Sequence, residues 1–319
     1  MKRLLPVVII LLVLCGCQKK PVEHAPTANL SDAEKKFMTI MHDQNKLDVS
    51  VLKAGKTLWI YLPMEEDLVD YHGTHRTDDT KQKKQFVINT FEGNQREKSY
   101  RFMFDITDGI RTSKDPGYKS DATEPFVRNR TLVYATINET FADLAKENTP
   151  EFFVVIIANI KKGIAYKTIF NGHDYEMYRS EVLPFEEYNL REISELYGDS
   201  TLINDKAGKN LDVQPIEWSW FLIEQIKNRV GFKFTRSDFP PDGDIVIQIA
   251  SIVANTFRYY EYNDFTTVVL KDIRDKKSYQ FSKEQLATFH ETEDIYKDRT
   301  QLIKLNRMQP MQNNTDLPK

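Results

Sequence analysis

Two short segments carry side chains of the right type and spacing to do chemistry. In Asp70-Tyr71-His72-Gly73-Thr74-His75 two imidazoles stand three residues apart with a carboxylate beside them. On a helix that spacing would bring His72 and His75 onto one face, and with Asp70 or Asp78 as an oxygen ligand they would make a three-ligand metal site. Gly73 and Thr74 oppose a helix, and no His-Glu-x-x-His pattern is present. A solvated loop is the simpler reading, so the expectation is no metal and no cofactor. In Asn171-Gly172-His173-Asp174-Tyr175 a histidine adjoins an aspartate, as half of an acid–base pair would require. Asn-Gly is more simply a turn between strands, since both residues tolerate positive φ. No Gly-x-Ser-x-Gly elbow occurs, so a hydrolytic triad lacks its first member and no catalytic residue is nominated.

The only two thiols, Cys15 and Cys17, sit at the end of an apolar run. Lys2 and Arg3 form a positive head, and Leu4 to Leu14 follow, broken only by Pro6. Such a run is too short for a permanent membrane span and suits a signal-peptide core. It ends in Leu14-Cys15-Gly16-Cys17, which resembles the lipobox of bacterial lipoproteins. The resemblance covers the first 17 residues. It implies cleavage after Gly16, loss of Cys15 and acylation of the Cys17 thiol, which would hold the protein to a lipid bilayer. Several acyl chains, at roughly 0.8 kcal/mol per buried methylene, make a stable anchor. Gln18, in place of an inner-membrane retention residue such as Asp, implies the outer membrane on its periplasmic side.

The remaining chain must stabilise itself by packing, because no cysteine follows Cys17. A hydrophobic content of 40% with 29% charged residues is that of a folded soluble domain. The formal charge of −3 becomes more acidic once Lys2 and Arg3 are removed, which argues against a nucleic-acid partner.

Periodicity places the elements. Ser31-Asp32-Ala33-Glu34 is a capping box opening a helix with Phe37, Ile40 and Met41 on one face. Alternation at Leu47, Val49 and Val51, then the run Thr57 to Leu62, reads as a hairpin around Gly55. A second helix carries Val133, Thr136, Ile137, Thr140 and Phe141, ahead of strands Phe152–Ile157 and Tyr166–Phe170. A third carries Ile216, Trp220, Ile223, Ile226 and Val230, ahead of expected strands Asp244–Ile249 and Phe257–Tyr262. Aligning the last two copies pairs Val154 with Val246 and Ile157 with Ile249, which leaves homologous repetition open. Tyr100, Phe102, Phe104 and Ile106 alternate as a further half-buried strand, and Ser282-Lys283-Glu284-Gln285 caps a last helix reaching about Arg307.

The expected fold is α+β, with helix plus β-hairpin units and antiparallel sheets covered by helices on one face. The expected organisation is a signal peptide at 1–16, a lipidated tether at 17–30, α+β domains at 31–114 and 115–308, and a disordered tail at 309–319. Partner contact is assigned to Trp218, one of the pair flanking Ser219, and to Arg258, Tyr260 and Tyr262 on the outer face of the expected last strand. These readings converge on a membrane-anchored envelope lipoprotein acting as a non-enzymatic interaction or assembly module on an envelope protein or polymer. The alternatives are a glycan- or peptidoglycan-acting hydrolase, which needs a carboxylate pair, and a solute-binding lipoprotein feeding a transporter, which needs a cleft.

Overall fold

A computed structural model describes residues 30–75, 84–110, 117–141, 149–235 and 244–289. Cys15, Cys17, Asp78, the apolar leader, the tether up to residue 29 and the segment 309–319 lie outside the described residues. The capping box forms as expected: Glu34 N–H donates to the Ser31 hydroxyl at 3.3 Å, and Ser31 N–H donates to the Glu34 carboxylate at 2.6 Å. It opens α1 (Asp32–Thr39), which runs into a π-helical turn, Ile40–Gln44. The hairpin of β1 (Ser50–Ala54) and β2 (Thr57–Met64) follows, turning at Gly55 with φ +57°.

The larger sheet has the order β1-β2-β7-β8-β9, adding β7 (Phe152–Asn159), β8 (Ile164–Asn171) and β9 (Ile193–Gly198). Alternation sends Leu58, Ile60, Leu62, Phe153, Val155 and Ile157 to the face beneath α1 and α2 (Glu124–Phe141). Trp59, Tyr61, Phe152, Val154 and Ile156 point the other way, against Leu202, Val213 and Phe221 of α5 (Trp218–Thr235). Burial on both faces explains why β2 and β7 read as unbroken apolar runs.

The second sheet has the order β11-β10-β5-β4, built from β4 (Lys84–Arg96), β5 (Ser99–Ile110), β10 (Thr267–Asp272) and β11 (Lys277–Ser282). Tyr100, Phe102, Phe104 and Ile106 form its buried row, as the alternation predicts. They share a core with Leu222, Ile226 and Val230 of α5 and with Ile249, Val253 and Phe257 of α6 (Ile245–Tyr259). Gly93 of β4 is required where α5 crosses, since a Cβ there would stand 2.7 Å from Ile223 Cγ2. Gly93→Ala should therefore cost about 1–3 kcal/mol by overpacking, read from the urea midpoint. A third pair, β3 (Val69–His75) with β6 (Gly117–Ala122), is antiparallel.

The α+β class with mostly antiparallel sheets and packed helices is therefore observed. Several finer expectations need correction. Asp244–Ile249 and Phe257–Tyr262 are not strands. Ile245–Tyr259 is one helix, capped by the Asp244 carboxylate accepting from Val246 N–H at 2.7 Å. Its β-branched residues favour strands locally, but Ile249, Val253 and Phe257 recur at helical spacing and pack on both α5 and β5. The alignment of Val154 with Val246 thus sets a strand against a helix, and the third helix–hairpin copy does not exist as read. The division near residue 114 does not separate the sheets, because β2 pairs with β7 and β5 with β10, both in parallel. Residues 111–116 lie outside the described residues, as does the expected last helix beyond residue 289, whose described part is α7 (Lys283–Ala287). Among the described residues no helix is long and apolar enough to cross a membrane.

Candidate binding cleft

The segment read as an Asn-Gly turn is a helix start. Asn171 caps α3 (Gly172–Arg179), its side-chain oxygen accepting from His173 N–H at 3.0 Å and Asp174 N–H at 3.3 Å. Its amide nitrogen donates to the Glu151 carbonyl at 3.1 Å, which fixes the end of β8 against the start of β7. The cap sets Asp174 in the first helical turn, where a carboxylate is favoured by the unpaired amides of the helix end.

Asp174 is buried and both its oxygens are engaged. Arg191 Nη1 donates to Oδ1 at 2.6 Å, and the Tyr260 hydroxyl donates to Oδ2 at 2.6 Å. Arg191 closes α4 (Phe185–Arg191) and donates through Nε to Glu187 one turn earlier, at 3.0 Å. Glu187 also accepts from Arg229 of α5 at 2.5 Å. The Arg191 carbonyl accepts from the Gln225 side chain of α5. The Tyr259 ring lies beneath both guanidinium groups, 4.8 Å from Arg191 and 4.9 Å from Arg229. Two carboxylates and two guanidinium groups balance, so α3, α4, α5 and the end of α6 are joined by a buried ionic lattice without net charge.

A cleft of about 760 Å³ opens beside this lattice, with Lys56, Glu151, His173, Asp174, Trp218 and Tyr260 in its wall. Trp218 Nε1 donates to Glu151 Oε1 at 3.0 Å, and Lys56 Nζ stands 3.8 Å from Glu151 Oε2. The Trp218 and Tyr260 rings meet at 5.3 Å with a 58° tilt. Each oxygen of Asp174 and Glu151 already receives a donor or faces a cation. The cleft therefore presents an aromatic and polar surface whose side chains are held in place by these contacts.

The nominated residues are distributed unevenly. Trp218 and Tyr260 come together in this cleft with His173 and Asp174, the pair singled out above. Tyr262 and Arg258 do not join them. Tyr262 packs on Tyr100, Phe257 and Phe265, while Arg258 donates to the Phe289 carbonyl at 3.0 Å. The single outer strand face expected for Arg258, Tyr260 and Tyr262 is thus corrected to a helix end whose side chains diverge. Trp220, not Trp218, is the exposed member of its pair, at 38%. Asp70, His72 and His75 lie in β3, not in a loop, with a register shift between the histidines. Among the described residues no group of three His, Cys, Asp or Glu side chains could hold a metal ion. Glu151, Glu187, Arg191, Gln225 and Arg229 were not anticipated. A signal for two of them exists: Gln225 and Arg229 stand four residues apart within the buried stripe of α5, where polar side chains persist only when partnered.

Burial pushes the Tyr260 phenol well above its ordinary value, and the Asp174 charge adds to the effect. Burial likewise pushes Tyr175 and Tyr197 up to about 12. These phenols keep their protons in the fold and lose them in the unfolded chain above about pH 10, so rising pH then favours unfolding. The urea midpoint should hold level to about pH 9 and fall steeply beyond pH 10, where the unfolded tyrosines ionise. A midpoint unchanged at pH 11.5 would contradict the tyrosine environments described above. No protein-family model, curated protein or solved structure matches this chain.

Proposed function

We propose that this is a lipid-anchored protein of the bacterial envelope, outer membrane and periplasmic side, whose folded part holds another envelope component in the Trp218–Tyr260 cleft without turning it over. The observation that carries the binding half of the reading is the cleft itself. Its aromatic corner is backed by the ionic lattice, so a partner meets a surface already in place and the ordering cost of association is low. The engagement of Asp174 and Glu151 favours holding over hydrolysis. The anchoring half rests on Leu14-Cys15-Gly16-Cys17. A second reading, a solute-binding lipoprotein, draws support from the cleft volume of about 760 Å³, which falls in the range of small-molecule sites.

The two halves are tested separately. Cys17→Ser should leave an uncut, unacylated precursor by intact-mass measurement, whereas Cys15→Ser should process normally. A mature terminus elsewhere in the wild-type chain rejects the anchor. For the cleft, Trp218→Ala should weaken retention of the envelope partner by about 1–2 kcal/mol, while Trp220→Ala, on the same helix but outside the cleft wall, should not. Chain shortening of a retained glycan or peptide would replace the binding reading with the hydrolytic one.

A further inference from the structure

The Trp218 cleft has a sign. The lattice behind it balances, so the charge a ligand meets is set by the wall residues outside the lattice. These are the carboxylates Glu151, Glu176 and Glu261 against the single ammonium of Lys56. Lys56 stands 3.8 Å from Glu151 and offsets that carboxylate. His173, 3.7 Å from Glu176, adds an imidazole that is at most singly charged. Negative charge is therefore in excess in either state of His173.

The same corner already uses the attraction between cations and aromatic faces. Arg191 and Arg229 lie over the Tyr259 ring, and Arg191 approaches the Tyr260 ring at 5.6 Å. Among the described residues no cation lies over Trp218, the ring type with the strongest attraction of this kind. Its Nε1–H is given to Glu151, and donating to an anion enriches the indole in electron density. A half-buried indole beside surplus carboxylates suits a long cationic side chain, whose stem lies on the ring while its N–H groups reach the acids. At about 760 Å³ the cleft exceeds what one such side chain fills and leaves room for backbone on either side of it. Glu261 enters the wall from the position just past the end of α6, at φ +49°, where glycine is the usual residue. Its amide donates to the Arg258 carbonyl at 3.1 Å, and Tyr262 N–H donates to the Phe257 carbonyl at 2.9 Å. A glycine there would remove the charge and relieve the backbone at once.

We propose, building on the binding reading of this cleft, that it receives a cationic side chain presented by a basic peptide segment of a partner protein, with the stem and charge against Trp218 and the N–H groups toward Glu176 and Glu261. The test titrates the full chain in detergent with three acetylated, amidated peptides that alternate glycine with lysine, glutamine or glutamate, read by ligand-observed NMR at low salt. The lysine peptide should bind saturably, the glutamine peptide about tenfold or more weakly, and the glutamate peptide without saturation. Trp218→Ala should weaken the lysine peptide about fivefold or more, and Glu176→Gln about two- to fivefold. Glu261→Gly should weaken it about two- to fivefold while the melting temperature stays level or rises, since the left-handed backbone no longer carries a side chain. Glu97→Gln, which removes an exposed carboxylate between β4 and β5, should change nothing and so separates the cleft from the overall acidity of the chain. Glutamine and lysine peptides binding alike, an indifferent Trp218→Ala, or equal losses in Glu97→Gln and Glu261→Gly would each overturn the proposal. If Trp218→Ala then still weakens retention of the envelope partner, the cleft binds and only the cationic class is wrong; if it does not, the binding reading falls as well.

Discussion

Arg191→Met should lower the unfolding free energy by about 3–5 kcal/mol, because removing one partner of a buried ionic group leaves the others charged and unpaired. Arg191 is the hub of the lattice, since it touches both Asp174 and Glu187. Its loss leaves the buried Asp174 carboxylate held by the Tyr260 hydroxyl at 2.6 Å. Methionine keeps much of the aliphatic volume, so the cost reports charge and hydrogen bonding more than a cavity. Equilibrium urea unfolding checks the value, and a loss below about 1 kcal/mol would show that Asp174 and Glu187 are compensated by other means. Arg191→Met should also weaken partner retention, because Tyr260 is held in the cleft through Asp174.

Neither half of the chain should fold when separated near residue 114. In the fragment 30–114, β2 loses β7 from one edge, exposing the backbone amides and carbonyls of a strand whose side chains are buried on both faces. β5 likewise loses β10, and the aromatic row from Tyr100 to Phe104 loses α5 and α6. The fragment 115–319 is left with the complementary deficits. Each isolated half should give a poorly dispersed NMR spectrum and no cooperative urea transition, while mixing the two should restore both. A cooperative transition in either fragment alone would mean that the cross-pairing of the two sheets contributes little.

Much of the fold was legible because the relevant signals are local. The capping box at Ser31, the Gly55 hairpin, and the alternation from Tyr100 to Ile106 each depend on residues close in sequence. The failure at Ile245–Tyr259 has a definite cause: an apolar run of Ile and Val satisfies both periods, and only the surroundings decide. Here Asp244 supplies a cap, and contact with α5 and β5 on two sides selects the helix. The cleft was legible in parts. Trp218, Tyr260, His173 and Asp174 were each singled out, but for different reasons and in different places. Their meeting depends on α6 packing on α5 and on Tyr260 reaching Asp174 of α3, a long-range fact with no local trace. Asn171 was misread because Asn-Gly serves equally as a turn and as a helix cap, and the choice rests on the Glu151 carbonyl far upstream.

The two parallel ladders also govern how quickly the protein can reach its native state. Ser99 at the start of β5 lies 168 residues before its neighbour Thr267 in β10, and β2 similarly awaits β7. Closing loops of that length comes before any reward from the contacts they create, so folding rates fall as such separations grow. A chain emerging from a ribosome or a translocation pore must leave one edge of β2 open until β7 has followed, and one edge of β5 open until β10 has followed. Folding should therefore be slow and sensitive to chain concentration, with holding chaperones raising the yield and not only the rate.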